Sequence, residues 1–417
     1  MTESLFSAVF LAAVLATTGF KLWLAHRHGR HILAHRGQVP RAFAEQIPLS
    51  AHQKAADYTR ARLRLGAVDL LVNAAWILAL TLGGGLQWLY GQWTGLADAG
   101  SIVQGTAFLA TLTLLGAVIE LPATLYRTFV IEARFGFNKM TPALFVSDTL
   151  KSLALSALIG LPVIAAVLWL MSAMGTHWWW AVWLFWLVFN LLVLLIWPTF
   201  ITPLFNRFTP LEDERVRGRV DALLARCGFR SNGLFVMDGS RRSAHGNAYF
   251  TGFGKSKRIV FFDTLLNTLE PLEVEAVLAH ELGHFKRRHV TKRLVLMATV
   301  MLALLWLLSA LMHAPWFFAG LGVEAQSTAM ALALFMIALP VFSFPFSPLM
   351  SAWSRKHEFE ADSYASEQSD AGALISALVK LYRDNASTLT PDPLYSRIYD
   401  SHPPATIRIA HLQGKPL

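Results

Sequence analysis

Apolar residues gather into seven stretches along the 417-residue chain, each long enough for a helix to cross a bilayer, which takes roughly 20 mostly apolar residues. They cover about 5–24, 65–89, 102–126, 149–174, 178–200, 294–318 and 329–350. The stretch 203–293 is different in kind, mixing charge, short apolar runs and turn residues as a water-facing domain does. The tail 351–417 is similarly polar. The pattern therefore divides the chain into a membrane domain with five spans (1–202), a polar segment (203–293), two further spans (294–350) and a second polar segment (351–417). Inside the first polar segment, 247–250 and 257–262 read as two strands joined around Gly252 and Gly254. Leu272, Val277, Leu278, Leu282 and Phe285 recur at helical spacing over 271–288, with Pro271 at the start and Glu273 and Glu275 in the first turns. The expected fold is an all-α polytopic membrane protein with a mainly helical polar domain containing a small β-sheet.

Composition sharpens this reading. Only 15% of residues are charged, against about 25% in an average soluble protein, and mean hydropathy is +0.44. A single cysteine, Cys227, excludes intrachain disulfides and any all-cysteine metal cluster. The net charge of +9 is first a topology signal in such a chain. Connections one, three and five, and the tail, carry the arginines and lysines, whereas 90–101, 175–177 and 319–328 carry none. Alternation puts the N-terminus outside and every basic segment in the cytoplasm, so no nucleic-acid partner is needed to explain the cations. A cleaved signal peptide fits poorly, because Glu3 precedes the first apolar run and the cations follow it. His26, His28, His31 and His35 alternate with arginine beside a span and read as headgroup-facing rather than metal-binding. Trp178–Trp180 reads as an interfacial belt. Asp69, Asn73 and Glu120 are polar positions inside spans, lining a cavity or pairing between helices.

The chemistry centres on His280-Glu281-Leu282-Gly283-His284. On a helix, residues four apart share a face, so both imidazoles can reach one zinc at about 2.0–2.1 Å. Glu281 is then placed to take a proton from an attacking water. Arg287 and Val290 stand where a metzincin would need glycine and a third histidine, which excludes that class. A further ligand is sought in Ser351–Asp362, where Glu358 and Asp362 lie four apart; periodicity alone leaves His357 open as an alternative to Glu358. A structural zinc site in a metal-regulated transporter or channel is the alternative of another class. It has no use for a base such as Glu281, and structural sites favour four closed ligands. An intramembrane-cleaving metalloprotease is rejected, since Glu273, Glu275, Lys286, Arg287 and Arg288 flank the motif.

Over nearly its whole length the chain resembles the integral-membrane zinc metallopeptidases typified by the type I CAAX prenyl endopeptidases. The resemblance lies in Phe129-Val130-Ile131-Glu132-Ala133-Arg134-Phe135-Gly136-Phe137-Asn138-Lys139, in the stretches 243–253 and 257–265, in the motif above, in Glu358-Phe359-Glu360-Ala361-Asp362, and in Ser401-His402-Pro403-Pro404 with Arg408. It implies seven helices around an interior chamber and one zinc per chain held by His280, His284 and Glu358. Glu360 falls outside the ligand pattern. The resemblance further implies Glu281 as general base, Asp362 as support for a zinc histidine, and Asn247 and His402 as residues that hold substrate and stabilise the tetrahedral intermediate. Ala133 stands where family members often carry a second acid, leaving the contact of that loop open. The expected activity is hydrolysis of peptide bonds near the C-terminus of CAAX-type substrates, prenylated or not, in a multi-pass protein of a bacterial inner or ER-type membrane with its active site on the cytoplasmic side. Peptide substrate and membrane lipid are the expected partners, oligomeric state is open, and a quality-control protease for membrane proteins is the alternative within enzymes.

Overall fold

The computed structural model describes residues 1–98, 100–253 and 256–414; Gly254 of the expected strand connection and residues 415–417 lie outside these. Helix α1 (Glu3–His35) is capped by Thr2, and α2 (Leu49–Leu80) is followed by α3 (Gly85–Thr94). The apolar stretch 65–89 is thus not one span. It breaks at Gly83–Gly85, where Gly84 takes the left-handed backbone (φ 74°), a break that hydropathy does not register. Helix α4 (Ile102–Tyr126) runs on through a π-helical turn, Arg127–Glu132, and α5 (Pro142–Ala173) follows. Helix α6 (Trp178–Ile196) passes through a second π-helical turn at Trp197–Ile201, containing Pro198, into α7 (Thr202–Phe205).

Strand β1 (Phe208–Pro210), α8 (Glu214–Cys227), β2 (Ser231–Met237), β3 (Ala248–Phe253), β4 (Ser256–Phe262) and α9 (Asp263–Leu266) come next. The sheet has four strands in the order β1-β2-β4-β3, two more than the pattern suggested, and β3 pairs antiparallel with β4 at one edge. Helix α10 (Pro271–Lys286) and α11 (His289–Leu311) meet at a sharp turn, then α12 (Pro315–Ala319) forms separately. The stretch 294–318 therefore breaks before Pro315, whose ring cannot continue the ladder of α11. Helix α13 (Thr328–Ser343) continues through Phe344–Phe346 into α14 (Ser347–Gln368), which runs across the boundary drawn at residue 350. Helices α15 (Ala371–Asp384), α16 (Pro393–Tyr399) and α17 (Ala405–Leu412) complete the polar half.

Among the described residues, seven helical segments are long and apolar enough to cross a membrane, and the protein is a multi-pass integral membrane protein. They close a ring: α1 packs on α2, α2 on the turn extending α4, then α4 on α5, α5 on α6, α6 on α11, α11 on α13, and α13 on α1. The connections without lysine or arginine gather at one end and the basic connections at the other. At the first end Phe6, Phe10, Phe108, Leu168, Trp178, Leu308, Phe317, Phe318 and Leu334 form an apolar core. Trp178 is buried there rather than interfacial. A solid bundle would bury a stripe along each helix. Here the buried positions of α5 are only Leu168 and Met171, and those of α6 only Trp178 and Val182, all at that packed end. The ring is hollow toward the other end. Asp69, Asn73 and Glu120 line a cavity of about 480 Å³ between α2 and α4, and Asp69 also lies 3.4 Å from Arg127 on the turn that extends α4. His28 is not headgroup-facing: it is buried, stacks on Tyr395 and accepts from the backbone N–H of Asp392.

Candidate metal centre

Helix α10 is fixed at both ends. Pro271 suits its first turn, and the Glu270 N–H donates to the Glu273 carboxylate at 2.8 Å in a capping box. Glu273 also accepts from Ser376 (2.6 Å) and Lys380 (2.7 Å) of α15, and although burial opposes ionisation these partners hold its pKa below the usual range. Val274, Ala276, Leu278, Ala279 and Leu282 bury the apolar face against α8 and α15. On the other face Gly283 lets α14 come close. A Cβ there would sit 2.9 Å from the Ala361 Cα.

This contact sets Glu358 opposite the motif. His280 Nε2 lies 3.3 Å from His284 Nε2, and Glu358 reaches each of them at 3.5 Å. Bonds of 2.0–2.1 Å in a tetrahedron require ligand atoms roughly 3.3–3.4 Å apart, so the triangle has the size of one face of a zinc polyhedron. Glu358 Oε2 is buried without a hydrogen-bond partner. Such an atom costs free energy unless something positive meets it, and the donor set of two imidazoles and a carboxylate suits zinc. His357, the other ligand the spacing left open, is not among the atoms of this triangle, and its ring stacks on His289 with centroids 3.9 Å apart.

Hydrogen bonds fix the imidazoles. His280 Nδ1 lies 2.8 Å from Asp362 Oδ1, so the ring N–H points there and Nε2 keeps its lone pair. Arg408 binds Asp362 through Nε (2.8 Å) and Nη2 (2.5 Å), and its Nη1 is 3.8 Å from Glu358. Burial lowers the pKa of His280, but its hydrogen bond to the Asp362 carboxylate and the nearby negative charge of Glu358 outweigh it and the net direction is up. His284 is pushed down to about 4, first by burial and then by the neighbouring His280, which leaves it neutral. Burial raises the pKa of Glu281 above its ordinary value.

Asn247, His280, Glu281, Tyr382, His402 and Arg408 line one cleft of about 390 Å³, walled on one side by Val277, Leu374, Leu378 and Leu381. The exposed His402 places Nε2 3.4 Å from Glu358. Asn247 precedes β3 and caps it, its carboxamide oxygen accepting from the Ala248 N–H at 2.8 Å. The structure thus brings together Asn247, His280, Glu281, His284, Glu358, Asp362 and His402. It also answers what the Ala133 loop touches. Glu132 accepts from the Tyr58 hydroxyl at 2.5 Å and lies 3.5 Å from His245, tying the membrane wall to the segment that enters β3. Sequence reasoning gave no role to Arg408, Gly283 or Tyr382. The signal for Arg408 was present only as a motif position, because what it grips lies on another helix.

Residues 28–207 match the family model for the CAAX prenyl protease N-terminal domain with five membrane helices, and 210–415 match that of peptidase family M48. The chain is 37% identical to a CAAX prenyl protease 1 homolog of Arabidopsis thaliana, over 77% of this chain and 76% of that one. It is 31% identical to CAAX prenyl protease 1 of Saccharomyces cerevisiae, covering 95% and 93%. The crystal structure of S. mikatae Ste24p superposes with a TM-score of 0.90 at 31% identity, covering 98% of both chains.

Proposed function

The chain belongs to the CAAX prenyl protease 1 family of M48 metalloendopeptidases, and from that premise we propose that it is a zinc enzyme cleaving an extended peptide near its C-terminus, with a prenylated CAAX-type chain as the preferred substrate. The observation that carries this reading is the triangle of ligand atoms 3.3–3.5 Å apart beside Glu281 in an open cleft. His280, His284 and Glu358 would hold the ion. Zinc in such a site polarises the scissile carbonyl and acidifies water.

The chain's own residues do the rest. The peptide lies along β3, whose edge position leaves main-chain groups for an added strand. Asn247 sits at the entrance to that edge and holds the peptide backbone. Val277, Leu374, Leu378 and Leu381 receive an apolar side chain. Glu281, its proton affinity raised by burial, takes a proton from the attacking water and later delivers it to the departing amine. His402, which also lines the cleft, donates to the oxygen that gains negative charge. Asp362 holds the Nδ1 proton of His280 throughout, keeping its Nε2 free. The basic connections and the catalytic cleft share one end of the ring, and the lysine and arginine asymmetry supports a cytoplasmic location for that end.

Two substitutions test the roles together. Glu281→Gln keeps shape and removes the base, so cleavage falls by about 10²–10⁴ while zinc stays bound. Glu358→Ala removes one of three protein ligands and depletes the metal itself. Zinc content and peptide cleavage are measured on both purified variants. Wild-type turnover in the first, or undiminished zinc affinity in the second, overturns the assignment. Mass spectrometry of membranes holding active enzyme or Glu281→Gln then identifies the cleaved C-termini and whether they carry a lipid.

A further inference from the structure

The two histidines of the motif are supported differently. His280 meets a carboxylate directly, at Asp362. His284 meets another imidazole: its Nδ1 lies 2.9 Å from His289 Nδ1, and His289 Nε2 lies 2.9 Å from Glu360 Oε2. A carboxylate only accepts, so the His289 proton sits on Nε2 and its Nδ1 presents a lone pair. That lone pair in turn requires the His284 proton on Nδ1, which leaves His284 Nε2 unprotonated and facing the triangle.

The surroundings hold this chain in place. Helix α10 ends and α11 begins across Arg288, a non-glycine residue in the left-handed region (φ 56°, ψ 35°). Such a backbone is disfavoured for any residue with a Cβ, and it folds His289 back against His284 instead of letting it continue along the helix. The His289 ring is 4% exposed and lies flat on His357, their planes 9° apart, while His357 rests on Trp353. A ring packed in this way cannot turn over to offer its other nitrogen.

We propose that His289 and Glu360 are positioning residues for the metal, forming a Glu360–His289–His284 hydrogen-bond chain that sets the tautomer and orientation of the second zinc histidine. The inference rests on the zinc-site reading above. Residues that orient a ligand in this manner typically change metal affinity by about 10–100-fold when removed.

The test measures zinc dissociation constants of the full-length protein in detergent, by competition with a chromophoric chelator, beside the visible spectrum of the cobalt-loaded protein. His289→Leu fills the space but accepts nothing, and should weaken zinc by about 10–100-fold and alter the cobalt bands. His289→Gln offers a carboxamide oxygen to His284 and should restore most of the affinity and the spectrum. Glu360 is more exposed, so Glu360→Ala keeps the fold and should give a smaller loss of affinity, whereas Glu360→Gln, still an acceptor, should give almost none. If His289→Leu does not fold, the Glu360 pair decides alone. Wild-type affinity and cobalt bands in His289→Leu, or in Glu360→Ala when that variant stands alone, overturn the proposal while leaving zinc catalysis intact. Failure of the wild-type protein to bind zinc overturns both readings.

Discussion

The two ends of the helical ring solve opposite problems. The packed end buries Phe6, Phe10, Phe108, Phe317 and Phe318 with few polar atoms, among them Gln104, which accepts from the Gly100 N–H at 2.6 Å. The metal end buries Glu273, Glu275, His280, Glu358, Asp362 and Arg408, and its order comes from pairing. Apolar packing spreads its energy over many weak contacts and degrades by increments. A buried ionic network is satisfied or it is not, and removing one member leaves its partners uncompensated. The closed end can therefore drift in sequence while keeping its shape, whereas the metal end ties stability and chemistry to the same few atoms.

The largest effect expected at the metal end outside the ligands comes from Arg408. Arg408→Met leaves Asp362 and part of Glu358 without a cation, and breaking such a buried pair costs about 3–5 kcal/mol. Thermal denaturation and zinc titration should both report it. At the packed end Phe108→Ala should destabilise by a comparable or smaller amount, about 3–5 kcal/mol for a fully buried ring, with zinc affinity unchanged. A fall in zinc affinity in Phe108→Ala would break the contrast between the ends. Gly283→Ala is milder, forcing a methyl against Ala361 at the cost of roughly 1–3 kcal/mol of overpacking. It should move α10 from α14 and weaken zinc more than it lowers the melting temperature. The smallest effect is on pH dependence. The proton affinity of His280 is raised, so protons compete with the ion there at higher pH than at His284. Zinc affinity should decline as pH falls through the raised range of His280, well before His284 takes up a proton at about 4, and a profile flat down to that point would show that His280 does not ligate.

Much of this was legible in the sequence. Seven apolar windows and the sorting of arginine and lysine marked the spans and the two unlike ends, because both depend on composition over many residues, whereas the closing of the spans into a ring was implied only by the family resemblance. His280 and His284 followed from helical spacing alone. What escaped depended on contacts between distant segments or on breaks that leave hydropathy unchanged. The glycines at 83–85 and Pro315 end helices inside stretches that remain apolar. Strand β1 is three residues long, and β2 passes through Gly233 with positive φ, so neither carries a two-residue alternation. Glu360 lay outside the ligand pattern and His357 inside its reach, yet α14 turns Glu358 to the triangle while His357 packs on His289. Only the crossing of α14 over α10 at Gly283 distinguishes those neighbours.

The continuity of α13 into α14 has a mechanical consequence. His280 and His284 precede the hairpin of α11 and α13, and Glu358 follows it, so an ion bound to all three would staple the two legs together. Cross-linking the mouth of a loop removes configurations from the open chain at little enthalpic cost. A chelator should then release more than a catalyst: it should let the two legs splay, and the separation between spin labels at the exposed positions Leu294 and Met350 would record the widening.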